Sequence, residues 1–90
     1  MSLDQNFDNA ADMVNSLKKR PTDEELLDLY GLYKNSKDGN CNSSQPSLLF
    51  DMKGHYKWKA WKLHVNKSKD QTKKEYIDYV LKLVDKYGLK

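Results

Sequence analysis

Two tyrosines and a lysine are spaced so that they share one face of a predicted helix. Tyr30, Tyr33 and Lys34 stand at positions i, i+3 and i+4, with Leu26 and Leu27 one turn earlier. A tyrosine ring can stack on a flat ligand and its hydroxyl can reach a phosphate oxygen, while a lysine supplies a point charge. This mixture favours the wall of a site for an amphipathic anion. The same spacing also fits two tyrosines half-buried at the edge of a core and a solvated lysine.

A stretch without carboxylates, Met52–Lys69, contains six lysines and two histidines. The whole chain has sixteen basic and thirteen acidic side chains, a net charge of +3, and the basic excess lies in its second half. Because opposite charges are usually interspersed on a solvated surface, the stretch favours an anionic partner. The simpler alternative is a lysine-rich helix face that only keeps the protein soluble.

Residues suited to catalysis or metal binding are sparse. His55 and His64 lie nine positions apart, so they fall on different faces of one helix and cannot chelate a metal as an i, i+4 pair would. Cys41 lies in a polar loop, where nothing in the sequence predicts a reactive thiol. The sequence has no phosphate-binding glycine loop, nucleophile elbow or paired-carboxylate motif. We therefore expect no enzymatic activity, no metal and no cofactor.

The first half of the chain predicts two helices. Apolar residues recur at steps of three and four over Leu3–Leu17, and the segment 18–21, three basic residues followed by a proline, is expected to end this helix. The Thr22–Glu25 capping box predicts a second helix. We expect it to cover about Asp23–Lys37 and to stop near Gly39.

The second half predicts two more helices after a long polar loop. The third, roughly Lys53–Val65, places Trp58 and Trp61 on one face, and we interpret both as core residues. The Ser68–Gln71 capping box opens a last helix that ends at about Tyr87. This helix carries two adjoining apolar stripes, so we expect it to be the central packing element.

Composition agrees with an all-α domain. The chain has twelve leucines but only five valines or isoleucines and two threonines, so β-branched residues are too scarce for a sandwich or barrel. Ninety residues make one small domain. No apolar run exceeds three residues, the start lacks a signal-peptide pattern, and the single cysteine suits a reducing compartment. These features predict a cytoplasmic protein with no stable membrane insertion.

A longer motif surrounds the tyrosines, and other motifs follow it in order along the chain. They read Phe7-Asp8-x-Ala10-Ala11, then Pro21-Thr22-Asp23-Glu24-Glu25-Leu26-Leu27-x-Leu29-Tyr30-Gly31-x-Tyr33-Lys34 and Gly39, then Pro46, Lys53-Gly54, Lys57-Trp58-x-Ala60-Trp61, Tyr76-Ile77 and Tyr87-Gly88. This joint pattern covers essentially the whole chain. It resembles the signature of the acyl-CoA-binding protein family.

The resemblance implies an all-α, four-helix up-down-down-up bundle that forms a single acyl-CoA-binding domain over residues 1–90. It also implies a non-catalytic protein that binds medium- to long-chain fatty acyl-CoA esters, transports them and maintains their intracellular pool. Such an ester has an anionic head and a long apolar tail. Its site therefore needs clustered cations, an aromatic platform and an apolar groove together, and the acid-free stretch would be the positive wall facing the nucleotide.

By resemblance, six residues of this sequence contact the CoA head group: Tyr30, Tyr33, Lys34, Lys53, Lys57 and Tyr76. Tyr30, Lys34 and Lys57 would lie by the 3′-phosphate. Tyr33 would stack on adenine, and Tyr76 would close the site. Two leucines of the second helix fall where the family lines its acyl-chain groove, Leu26 and Leu27.

Five features depart from the family pattern. Asn15 replaces a lysine that is often found near the phosphate, and Asn35 stands where glutamine is usual. His55 often corresponds to a lysine, and Tyr56 stands where a small residue is common. The Pro46–Trp58 segment is one residue longer than usual. These changes bear on chain-length preference and on nucleotide-side detail.

Three other functions compete with acyl-CoA binding. A nucleic-acid-binding domain would use arginine to read bases, but the chain has one arginine against fifteen lysines, so we expect no nucleic acid. A helical protein-interaction module is the main alternative, and it would tolerate phenylalanine at Tyr30 and Tyr33 and hardly depend on Lys34. Attachment to anionic membranes through the lysine-rich third helix is weakened if its tryptophans are core. We expect a monomer, because no apolar stripe is left over.

Overall fold

Each of the four helices begins after a residue whose side chain caps it. The computed structural model describes residues 2–90 and contains α1 (Leu3–Val14), α2 (Asp23–Asp38), α3 (Met52–Lys62) and α4 (Lys69–Tyr87). The four caps are Ser2, Thr22, Asp51 and Ser68. Each cap accepts a hydrogen bond from the backbone N–H three residues later, which satisfies a donor that the helix itself cannot pair. The prediction of an all-α, four-helix fold is confirmed.

The last helix, α4, is the centre of the packing. Both α1 and α2 pack against α4, and α3 packs against α2. The core consists of eight buried residues: Phe7, Ala10, Leu17, Leu29, Leu32, Tyr76, Val80 and Leu83. Of the two apolar stripes predicted on α4, the one that contains Tyr76, Val80 and Leu83 fills the core. The other only borders it, and its Leu81 is exposed.

The first helix is shorter than predicted and ends at Val14 instead of continuing to Leu17. A turn follows Val14, and Leu17 then forms an isolated antiparallel bridge with Leu89. The Lys18 N–H donates a hydrogen bond to the Gly88 carbonyl at 2.9 Å. Leu17 is nevertheless buried in the core. The apolar periodicity continues beyond the end of the helix because Leu17, which follows the turn, is also buried in the core.

The ends of the other helices follow the sequence signals with one exception. Gly39 and Gly88 cap α2 and α4 with positive φ angles of 80° and 77°, which glycine adopts without a Cβ penalty. The third helix ends at Lys62 and not at Val65. Turns follow it, and Asn66 takes a positive φ of 72°, so the helical ladder cannot continue to α4.

The two tryptophans of α3 fasten the long loop between α2 and α3. Trp61 is buried, but Trp58 is only half-buried, so the interpretation of both as core residues is wrong for Trp58. The Trp58 Nε1–H donates to the Ser43 carbonyl at 2.8 Å, and the Trp61 Nε1–H donates to the Gly39 carbonyl at 2.7 Å. Each indole N–H therefore pairs with a backbone carbonyl of the loop or of the C-cap that precedes it.

The backbones of α2 and α3 are in close contact at Gly31. A Cβ atom at this position would lie 2.7 Å from the carbonyl carbon of Ala60 and would overlap its oxygen. Both residues are buried. A glycine inside a helix costs about 1 kcal/mol relative to alanine. The position therefore favours glycine because only a residue without a side chain allows this approach.

We predict that Gly31→Ala lowers the stability of the fold. Overpacking at the α2–α3 contact should reduce the free energy of unfolding by about 1–3 kcal/mol. Urea unfolding followed by circular dichroism measures this change. In an open helix position the same substitution would stabilise by about 1 kcal/mol. An increase in stability would therefore contradict the close contact.

Glu25 connects the start of α2 with the end of α4. Its Oε1 accepts a hydrogen bond from the Thr22 N–H at 2.9 Å, which completes the predicted capping box, and a second from the Tyr87 hydroxyl. Its Oε2 accepts from the Lys86 ammonium at 3.0 Å. The hydrogen bond from Tyr87, followed by those from Thr22 and Lys86, lowers the pKa of Glu25 from 4.5 to about 2.

We predict that Glu25 makes stability depend on pH under acidic conditions. Because the pKa of Glu25 is lower in the folded than in the unfolded state, Glu25 adds to the free energy of unfolding. This contribution is complete above pH 4.5 and is lost as the pH falls to about 2. Glu25→Gln should therefore be less stable than the parent at neutral pH and should approach it at the acidic end. Urea unfolding across this window measures the difference. Glu24→Gln, at an exposed neighbouring position, is the control, and equal pH slopes for Glu25→Gln and the parent would contradict the assignment.

Candidate functional site

The predicted site residues of α2 and α3 meet where the two helices cross. The Gly31–Ala60 contact sets the register, so Tyr30 lies beside Lys57 and Lys34 lies beside Trp61. The Lys57 Nζ is 5.2 Å from the centroid of the Tyr30 ring, and the Lys34 Nζ is 5.1 Å from that of Trp61. Both distances are in the range of cation–π contacts. Two ammonium groups from different helices are thus each held against an aromatic ring.

Lys34 already has an anionic partner on its own helix. It forms an ion pair with Asp38, four residues later. The hydrogen bond between them raises the pKa of Lys34 and lowers the pKa of Asp38. Lys34 therefore stays charged at neutral pH. A phosphate bound at this ammonium would compete with the Asp38 carboxylate.

Tyr33 belongs to a cluster of three aromatic rings that joins α1, α2 and α4. Its ring stacks on Phe7 with centroids 5.5 Å apart and tilts against Tyr76 at 5.8 Å. Tyr76 is only 4% exposed, and burial, with a contribution from Tyr33, raises its pKa to about 12. Tyr33 is 39% exposed. The two buried rings therefore support Tyr33 and leave part of it open to a flat ligand.

The remaining predicted residues lie on three different surfaces. Lys53 is exposed on the first turn of α3, one turn before Lys57. Leu27 lines a groove of about 220 Å³ between α2 and α3. Leu26 packs against the core and lines a separate depression next to Leu17. The structure therefore places the two leucines at two separate depressions beside the first turns of α2.

The groove at Leu27 has an apolar lining and a charged rim. Its apolar lining is Leu27, Tyr56, Ala60 and Leu63, and its rim is Glu24, Asp28 and Lys59. Tyr56, which the sequence marks as bulkier than usual, lies in this groove.

Asn35 is a structural residue that sequence reasoning did not explain. Its side chain is completely buried, and its Nδ2 donates to the carbonyls of Gly39 at 3.3 Å and His64 at 3.1 Å. Its Oδ1 accepts a hydrogen bond from the Thr72 hydroxyl at 2.9 Å. The amide thus ties the end of α2 to α4 and to the turn after α3. It lies directly after Lys34 in the chain and fixes the backbone that carries it.

The sequence analysis missed two further residues of the site, and only one of them stands in a sequence pattern that could have revealed it. Asp38 stands four positions after Lys34, the spacing of a helical ion pair, so this contact could have been found. Phe7 lies in the apolar stripe of α1, and nothing in its local pattern shows that it supports Tyr33 from another helix.

Comparisons with known proteins identify the family of this fold. A family model described as acyl CoA binding protein matches residues 4–80. The acyl-CoA-binding protein homolog of Drosophila melanogaster is 44% identical over 86 residues, which cover 96% of this chain and 99% of the relative. The chain belongs to the acyl-CoA-binding protein family. The prediction from its motifs is confirmed.

Other members of the acyl-CoA-binding protein family match over similar lengths. Acyl-CoA-binding protein 2 of Saccharomyces pastorianus is 44% identical over 86 residues, covering 96% of this chain and 98% of that protein. The crystal structure of Oryza sativa acyl-CoA-binding protein 2 has a TM-score of 0.87 at 34% identity and covers 93% of this chain and 90% of its own. The crystal structure of the protein from Moniliophthora perniciosa has a TM-score of 0.84 at 36% identity, with coverages of 96% and 83%.

Within residues 2–90 this acyl-CoA-binding family member lacks two further features. No cluster of three or more histidine, cysteine, aspartate or glutamate side chains in that range is arranged to bind a metal ion. None of the helices described there combines the length and the apolar character needed to cross a bilayer.

Proposed function

We propose that this chain binds fatty acyl-CoA esters and carries them without transforming them. The observation that carries the proposal is the pairing of two lysines with aromatic rings at the α2–α3 crossing, beside apolar grooves, in a member of the acyl-CoA-binding protein family. Relatives from Drosophila melanogaster and Saccharomyces pastorianus are named for acyl-CoA binding. The proposed unit is a single domain over residues 1–90, monomeric and cytoplasmic, with acyl-CoA as its ligand and no cofactor.

The head group is proposed to bind at the helix crossing. Lys34 and Lys57 come from two helices, so their ammonium groups can reach one phosphate from two directions. The Tyr30 ring holds Lys57, and its hydroxyl would donate to the same phosphate. Lys53, one turn before Lys57, would extend this positive edge along α3 toward the rest of the head group.

The adenine is proposed to stack on the open part of Tyr33. Phe7 and Tyr76 pack against this ring from the core, so it is held in place before the ligand arrives. A platform that is already fixed loses little side-chain entropy on binding. Tyr76 would therefore act mainly by supporting Tyr33 and closing the inner side of the site.

The acyl chain is proposed to follow the first turns of α2. Leu26 and Leu27 are both half-buried there; Leu27 lines the groove with the apolar lining, and Leu26 lines a depression that also contains basic side chains. Each methylene group removed from water contributes about 0.8 kcal/mol. A long chain would thus supply much of the affinity, and the lysines would fix the orientation of the head.

Calorimetric titration of the delipidated protein with palmitoyl-CoA tests the proposal directly. We expect one-to-one binding of the ester and much weaker binding of free CoA or palmitate, because each fragment meets only half of the site. Absence of binding would overturn the proposal. The helical protein-interaction module would then be the leading function.

We predict that Lys57→Gln weakens palmitoyl-CoA binding and leaves the fold intact. Loss of one charge-assisted contact should cost about 1.5–3 kcal/mol of binding free energy, or about ten- to a hundredfold in affinity. Lys82→Gln removes the same charge at an exposed position on α4 and is the matched control. Calorimetry measures both, and circular dichroism checks helicity. Equal affinities for the two variants would contradict the role of Lys57.

We also predict that Asp38→Asn tightens binding, because it frees Lys34 and removes a negative charge near the proposed phosphate position. Exposed ion pairs are worth up to about 1 kcal/mol, so the gain should be at most about fivefold and should shrink with added salt. Asp78→Asn, an exposed position on α4, changes the net charge equally and is the control. Weaker binding by Asp38→Asn would show instead that the ion pair positions Lys34.

A further inference from the structure

An apolar surface is left uncovered on α3 and on the turn before it. Leu49 is 82% exposed and Phe50 is 88% exposed, and four further large apolar side chains near them are exposed as well. We call this surface the α3 apolar face, and its members are Leu48, Leu49, Phe50, Met52, Tyr56 and Leu63. Single exposed apolar residues are common, but a continuous group of this kind marks an interaction surface.

The helical part of the α3 apolar face follows one side of the helix. Met52, Tyr56, Lys59 and Leu63 stand at i, i+4, i+7 and i+11, which is one stripe along α3. Leu49 and Phe50 extend the stripe beyond its N-terminal end. The sequence did not reveal this stripe, because lysines interrupt it and its apolar members are spread over the turn and α3.

The turn that carries Leu49 and Phe50 is held in place by its own backbone contacts. The Ser47 hydroxyl accepts hydrogen bonds from the N–H groups of Leu49 at 3.2 Å and Phe50 at 3.4 Å. The Asp51 N–H donates to the Ser47 carbonyl at 2.8 Å, and the Asp51 side chain caps α3 at the Gly54 N–H. The turn therefore presents its apolar side chains outward in a defined arrangement.

Lysines surround the α3 apolar face. Four lysines of α3 are exposed: Lys53, Lys57, Lys59 and Lys62. No carboxylate occurs from residue 52 to residue 69. The nearest acids of α2, Glu24 and Asp28, lie across the groove that Tyr56 and Lys59 line, so they border the face only toward α2. Asp51, between Phe50 and Met52, is an exposed carboxylate whose side chain caps the start of α3. After it, the charged residues of α3 are all lysines.

We propose that the α3 apolar face docks on the surface of an anionic lipid bilayer. Apolar side chains at a helix and its adjoining turn, flanked by lysines, suit the boundary between acyl chains and negatively charged headgroups. A second copy of this chain would place the lysines of the outer side of α3, such as Lys59, against each other, and like charges oppose such contact. The charge of the face therefore selects an anionic surface over self-association.

The docking does not require bound acyl-CoA, so it is tested on the ligand-free protein. The measurement is co-sedimentation with phosphatidylcholine vesicles and with vesicles that also contain phosphatidylglycerol. We expect binding to the anionic vesicles only, falling as salt is added. Leu49→Ser combined with Phe50→Ser should lower the partition coefficient by about tenfold or more, because two apolar side chains no longer enter the interface.

Matched variants separate the local surface from general effects. Leu81→Ser changes an exposed leucine on α4 and should bind as the parent does. Lys59→Gln with Lys62→Gln should weaken binding by about fivefold per lysine, whereas Lys74→Gln with Lys82→Gln, on α4, should weaken it much less. Circular dichroism confirms that each variant is folded.

Three outcomes would overturn the proposal. The first is equal loss in the α3 and α4 lysine variants, which would indicate attraction by net charge alone. The second is unchanged binding by the Leu49 and Phe50 variant. The third is no binding of the parent to anionic vesicles. In that case, concentration-dependent association in analytical ultracentrifugation would assign the face to a second copy of the chain. If the protein stayed monomeric, the face would instead be assigned to a different protein partner. Palmitoyl-CoA titration is independent of all three, so failure of docking leaves the proposed function standing.

Discussion

The candidate site depends on the missing side chain at Gly31. Because the backbone of Ala60 lies where a Cβ would be, α2 and α3 come close enough for residues one turn on either side to meet. Tyr30 then reaches Lys57, and Lys34 reaches Trp61. A wider separation would leave the same lysines on two unrelated helix surfaces. Glycine at this position has a lower helix propensity than alanine, but it allows a lysine of each helix to contact an aromatic ring of the other.

Polar side chains hold α2 at both ends, so this crossing is fixed. At the start of α2, Glu25 accepts hydrogen bonds from Thr22 and from two residues at the end of α4. At the other end the buried amide of Asn35 bonds to Thr72 and to two backbone carbonyls. A helix secured at both ends carries the residues proposed to contact the ligand in one arrangement, which binding does not need to create.

The third helix divides its lysines between two surfaces. Lys57 lies against the Tyr30 ring of α2, Lys62 lies against the Trp58 ring, and Lys59 stands in the stripe of exposed apolar side chains. The acid-free stretch is therefore more than a single positive wall for one ligand. One helix can present cations to a phosphate at the helix crossing and, on its outer side, to an anionic surface. Its tryptophans hold the loop between α2 and α3 through their indole N–H groups, and the Trp61 ring also lies against Lys34 at the crossing.

The sequence by itself determined the helices, their caps and the residue types of the site. Capping signals and apolar periodicity depend on neighbours within a few positions, and so does the Tyr30, Tyr33 and Lys34 face. Only the tertiary structure decided where α1 ends, because Leu17 pairs with a residue at the far end of the chain. It also decided which rings support Tyr33 and which apolar residues stay uncovered on α3. Those outcomes depend on contacts between distant segments, and local spacing holds no information about them.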